Sequence, residues 1–195
     1  MAAELNPVFT AETFADHLAA LRERVERRRR VIEARPLEKR VTIEATPEAS
    51  RQFWEGVQIA TTHSDPPLDP HLAAACERAL SRLGKDWLDA ARCGDAAAVR
   101  AYIEEGFPIW YRDRRTGENA LHAAAGSQAR TILRLLLPRW AGFLVRDRQG
   151  RLASELAYLY GEDPAMARLL GSKERKEGES TSTVVRRRIY AQRAD

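Results

Sequence analysis

Apolar residues recur at helical spacing through most of the chain, while strand-like alternation is nearly absent. Phe14, Leu18, Leu21, Val25 and Ile32 fall 4, 3, 4 and 7 residues apart, which predicts one apolar stripe along a helix from about Ala11 to Ala34. Thr10 suits its N-cap, and Glu12 and Asp16 suit the positive end of the helix dipole. Arg28 interrupts the stripe inside the run Arg27–Arg30, so the basic half is expected to be solvated. Arg35-Pro36 ends the helix, because a residue before proline avoids the α region. Val41 to Glu44 alternates and is compatible with a small strand. Thr46-Pro47-Glu48 opens a second helix to about Ala60, with Phe53, Trp54, Val57 and Ala60 as its apolar members. After the Ser64–Pro67 loop, Asp69-Pro70 caps a third helix, expected to reach Leu83 and close at Gly84.

From there the chain repeats itself. Asn119-Ala120-Leu121-His122-Ala123-Ala124-Ala125 is followed by Leu133, Leu136 and Leu137, and then by Asp147. A shift of 34 residues backward meets Ala90, Ala91, Gly94, Val99, Tyr102, Ile103, Gly106 and Asp113. A shift of 33 forward meets Gly150, Ala157, Gly161, Met166, Leu169 and Leu170. Small residues let paired helices approach, and the larger ones fill the layer between neighbouring copies. One helix pair cannot bury its apolar face alone, so stacking must supply the core.

This stretch, about residues 84–171, resembles three ankyrin repeats; Asn119 to Ala125 is similar to the family's Thr-Pro-Leu-His-x-Ala-Ala core. Trp87-Leu88 and Ser154-Glu155 stand where Leu-His would, as terminal copies often differ. Trp140 stands where the family places glycine, which points to Gly142 for that turn. The Asp113–Gly117 turn is one residue longer than Asp147–Gly150. The resemblance implies a solenoid of helix pairs that grips protein partners with its turn tips and inner-helix ends. Carried over by position, the tips are Tyr111, Arg112, Arg114, Arg115, Glu118, Arg146, Arg148, Gln149 and Arg151. The inner-helix positions are Arg92, Cys93, Gly126, Ser127, Leu159 and Tyr160, and Trp110 is either a further contact or a core residue. His122 is expected to be a hydrogen-bonded structural residue.

Charge refines the partner. The 195 residues carry a formal net charge of +4, from 32 Lys and Arg against 28 Asp and Glu, and 28 of the 32 are Arg. Residues 1–34 are balanced at six and six, residues 84–171 hold thirteen basic against eleven acidic, and residues 172–195 hold seven against four. The surplus therefore lies mostly in a tail expected to be flexible and basic, with Val185 and Ile189 beside Arg186–Arg188. Arginines at turn tips predict a protein partner with acidic patches. A nucleic-acid-associated regulator using Arg27–Arg30 and Arg186–Arg188 is the alternative, and self-association through the Phe14–Ile32 helix is a further option.

Enzyme chemistry finds no motif. The histidines His17, His63, His71 and His122 form no His-Glu-x-x-His pattern, and no Walker loop, nucleophile elbow or Gly-x-Gly-x-x-Gly occurs. Cys76 and Cys93 are too few for a zinc site or a disulfide scaffold and are expected to be buried. Glu162-Asp163 before Pro164 reads as an acidic helix start, and Glu104-Glu105 before Gly106 as a solvated turn. No apolar run approaches the roughly 18 residues of a membrane span. The expectation is an all-α protein: a mainly helical region over 1–83, an ankyrin-repeat solenoid over 84–171 and a basic tail over 172–195. It is expected to be cytoplasmic and non-catalytic, without cofactor or metal, acting as adaptor, scaffold or stoichiometric inhibitor.

Overall fold

The apolar stripe of the first helix takes shape as predicted. In a computed structural model, which describes residues 11–35, 70–139 and 142–192, helix α1 spans Ala11–Ala34. Leu18, Leu21, Val25 and Ile32 are all buried. These four members of the stripe are covered within the chain, and the Phe14 side chain lies outside the described residues. Thr10, the short alternating segment at 41–44 and the helix expected over 46–60 lie outside the described residues. Seven α-helices and no strand occur among the described residues, so the chain is all-α there.

Helix α2 spans Pro70–Cys93 and corrects the expected stop at Gly84. A glycine inside a helix costs about 1 kcal/mol relative to alanine. Burial of Leu83, Trp87 and Leu88 around it outweighs that. The continuous helix also explains Trp87-Leu88: this copy has no helix start there, so it has no use for a capping histidine.

Two compact units are distinguished by their internal contacts: residues 1–90 with 96–108, and residues 91–95 with 109–195. In the first, α1 packs on α3, Ala96–Glu104. The rings of Trp87, Tyr102 and Phe107 meet with centroids 5.4 to 5.7 Å apart, two of the three pairs edge-on. Such arrangements suit the ring quadrupoles.

The second unit is made of paired helices. Helix α4, Ala120–Gly126, pairs with α5, Arg130–Leu136, which runs into a 3₁₀ turn, Leu137–Arg139. Helix α6, Ala153–Leu159, pairs with α7, Pro164–Gln192. Helix α4 also packs on α6. The segment expected as a flexible tail is helical as far as Gln192, continuing α7. Glu177 on that continuation accepts the Phe143 backbone N–H. Asp163 accepts the Met166 N–H at 3.1 Å, so the acidic start of α7 is a helix cap.

Turn geometry recurs with the sequence period. Gly94, Gln128 and Glu162, each 34 residues from the next, hold positive φ values of 74°, 60° and 46° between successive helices. Gly117 and Gly150 do the same at the turn tips, with φ of 73° and 80°. Gly142 also adopts a positive φ, 84°, while Trp140 lies outside the described residues. At Gly117 an added Cβ would lie 2.7 Å from the Arg148 backbone nitrogen. Gly117→Val therefore combines left-handed strain with a backbone clash, and should lower unfolding stability by about 2–4 kcal/mol in urea titration.

Candidate functional site

The turn tips are built by two aspartates. Asp113 Oδ1 accepts the backbone N–H groups of Arg115 and Thr116, each at 2.7 Å. Asp147 Oδ1 accepts those of Gln149 and Arg151, each at 2.8 Å. Partial burial works to raise both carboxyl pKa values. At Asp113 the Thr116 and Arg115 N–H donors prevail, and at Asp147 the Arg151 backbone and side chain prevail. Both stay below the usual carboxylate range.

Arginines then tie one tip to the next. Arg148 N–H donates to Thr116 O at 2.9 Å, and its Nε donates to Arg114 O at 2.7 Å. Arg112 Nη2 donates to Arg146 O, and its Nε to Gly117 O at 2.8 Å. Arg146 Nη1 donates to Gly150 O at 2.5 Å. Arg112, Arg146 and Arg148 are exposed, yet each guanidinium already grips backbone oxygen. Arg115, also exposed, has no ion-pair partner among the described residues.

Beneath the tips sits His122. Its Nδ1 lies 2.7 Å from Asn119 Oδ1 and its Nε2 3.2 Å from Arg151 O, while Asn119 Oδ1 accepts the His122 N–H. The ring thereby caps α4 and reaches the following tip, a structural role. Burial lowers its pKa, against the Arg151 carbonyl, which favours the protonated ring. Because the folded pKa is depressed below the 6.5 of the unfolded chain, the neutral ring stabilises the fold fully above that pH. Denaturation midpoints should therefore fall as pH drops from 7.5 towards 5. His122→Gln should flatten the dependence.

The carried-over residues divide into three groups. Tyr111 is buried, contrary to its assignment as a contact, because its ring belongs to the interior at the base of the tip. Arg151 is partly buried and engaged: it pairs with Asp147 at 2.7 Å, donates to the Tyr160 hydroxyl at 3.0 Å and lies 5.4 Å from that ring's centroid. Glu118 is partly buried and pairs with Arg92 at 3.1 Å. Arg92, Arg114, Gln149, Ser127, Leu159 and Tyr160 are exposed, and Ser127 Oγ donates to Ala123 O at 2.9 Å. Gly126 is half-buried. Cys93 is exposed, which corrects its expected burial; the Cys76 side chain lies outside the described residues.

Leu159 and Tyr160 remain about three-fifths exposed, at 59% and 61%, and Trp110 reaches 63%. Large apolar groups held in water on a framework of tied turns can contribute binding energy with little ordering cost. That, rather than the arginines alone, is the surface's chemical capability.

In the first unit the sequence pattern concealed an ionic cluster. Glu104 and Glu105 are buried, not solvated. Arg28 reaches Glu104 at 3.1 Å and Glu105 at 2.6 Å, and Arg24 reaches Glu105 at 3.0 Å. Arg28 therefore continues the α1 stripe as an ion pair instead of breaking it. The signal was present in its register with Leu21, Val25 and Ile32.

Among the described residues no group of three or more His, Cys, Asp or Glu side chains could hold a metal, and no helix is long and apolar enough to cross a membrane. No protein-family model matches the chain, and no curated protein matches it either.

Proposed function

We propose that the chain is a non-catalytic protein-binding module built on ankyrin-like repeats over about residues 84–171, acting as adaptor, scaffold or stoichiometric inhibitor. The observation that carries this reading is the exposure of Leu159 and Tyr160 at the end of α6, beside turns that Arg112, Arg146 and Arg148 lock together. The repeated helix pairs, the 34-residue recurrence of positive φ and the paired aspartate turns support the repeat assignment. Arg115 and Gln149 at the tips fit a partner with acidic patches. Arg112 and Arg148 act through the backbone they hold, so reversing their charge would disturb the tips as well as the surface.

The nucleic-acid alternative is weakened by the fate of the Arg27–Arg30 run. Arg28 is committed to Glu104 and Glu105, Arg27 pairs with Glu23 at 2.9 Å, and Arg29 pairs with Glu33 at 3.2 Å. Salt dependence separates the two readings, since phosphate-driven binding to a random duplex falls steeply with salt.

Affinity capture from the native cell, comparing wild type with Tyr160→Ala/Arg115→Glu, tests the proposal. A captured protein that is lost with the double variant and retained with Arg134→Glu supports it. Equal capture by all three proteins contradicts the assigned surface.

A further inference from the structure

Among the described residues, the paired helices of the second unit leave one face uncovered. On α4, Ala125 is 1% exposed, beneath the packing of α4 against α6. Thirty-three residues later the corresponding position on α6 is Tyr158, and it is 65% exposed. The internal pair has its face closed by the next helix, whereas the last pair presents a large aromatic to water.

Beside Tyr158 runs a groove of about 630 Å³ between α6 and α7. Leu159 from α6 and Ala167, Arg168, Gly171 and Arg175 from α7 line it with Tyr158. Residues 164, 168, 171 and 175 share one stripe of α7, at spacings of 4, 3 and 4. Gly171 gives the floor its depth, since an added Cβ there would meet nothing nearer than the Ser154 Cβ at 3.9 Å.

The charges of this groove are unbalanced. Ser154 donates through its backbone N–H and hydroxyl to the buried carboxylate of Glu174, at 3.1 and 2.6 Å. Glu155, also on the rim, accepts the Leu152 N–H at 2.8 Å and lies 3.9 Å from Arg146. Arg168 and Arg175 are exposed, and among the described residues neither has an ion-pair partner. An apolar strip flanked by two uncompensated cations selects an occupant with apolar residues on one face and carboxylates beside them. A two-fold contact between copies of this chain would instead set like-charged rims against each other.

We propose that the α6–α7 groove docks an acidic amphipathic helix of a partner protein, its apolar face on Tyr158 and Leu159 and its carboxylates towards Arg168 and Arg175. The helix takes the place that α6 takes on α4. The groove shares Leu159 with the surface proposed at the end of α6, whereas Tyr158, Arg168 and Arg175 lie outside that surface, so variants at these three positions test the groove apart from it.

The test uses the full chain and a fluorescein-labelled helical peptide of about 18 residues, long enough to span the groove. One face of the peptide carries leucines at helical spacing, flanked by glutamates; the control has lysines in place of the glutamates. Anisotropy should show saturable binding of the acidic peptide and at least roughly tenfold weaker binding of the control. Tyr158→Ala and Arg168→Glu/Arg175→Glu, checked for native helicity by circular dichroism, should each lose roughly tenfold in affinity for the acidic peptide. Tyr160→Ala and Arg115→Glu should leave that affinity unchanged. No saturable binding, equal binding of both peptides, or unchanged affinity in the groove variants overturns the proposal. Sedimentation showing a wild-type dimer that Tyr158→Ala abolishes would overturn it too, by making a second copy the occupant.

Discussion

Replacing Arg28 with alanine should lower unfolding stability by about 3–5 kcal/mol, the cost of taking a charged, hydrogen-bonded partner from two buried carboxylates. Glu104 has no exposed surface, and Glu105, 3% exposed, keeps the contact with Arg24 once Arg28 is gone. Exposed pairs on the same helix offer the control. Arg27→Ala removes a contact to Glu23 in which both side chains are at least 70% exposed, and should cost about 0.5 kcal/mol or less. Combining Arg28→Met with Glu104→Leu and Glu105→Gln should recover much of the loss, because it removes the buried charges together with their counter-ion. Urea titrations of the four proteins measure these differences. Equal effects of Arg27→Ala and Arg28→Ala would show that the buried cluster contributes nothing special.

A loss of similar size is expected for Trp87→Ala, about 3–5 kcal/mol, from the cavity and the lost contacts with Tyr102 and Phe107. Trp87 is fully buried, yet its indole N–H has no hydrogen-bond partner among the described residues. Trp87→Phe therefore removes volume and an unsatisfied donor together. The two effects oppose, and the net cost should stay below about 1.5 kcal/mol. Comparing the two variants by urea denaturation separates packing from polarity at this position.

These two residues also mark where the sequence was legible and where it was not. The stripe of α1 could be read from Leu18, Leu21, Val25 and Ile32 because helix periodicity is local. Arg28 occupies the same face, but its partners lie 76 and 77 residues away, and no local pattern announces them. Glu104-Glu105 looked like a solvated turn for the same reason. Gly84 carried a stop signal that was outweighed by the burial of Leu83, Trp87 and Leu88 on either side.

In the second unit the period of 33–34 residues coincides with the helix pairs α4–α5 and α6–α7 and with the two aspartate turns. It could not separate residues that build a tip from residues that a partner would meet. Tyr111 turns inward, and Arg112, Arg146 and Arg148 hold neighbouring backbone, although their spacing marks all four as contacts. Tyr158 shows the converse. Its register equals that of a buried alanine, and only the lack of a further stacked helix among the described residues leaves it exposed.

The central claim, that tied turns and the end of α6 form a protein-binding surface, is tested most directly by amide hydrogen exchange on the chain with its captured partner. Slowed exchange over residues 113–117, 147–151 and 159–161, with little change along α1, is the predicted result. Protection confined to α1, with those turns exchanging as in the free chain, would contradict it.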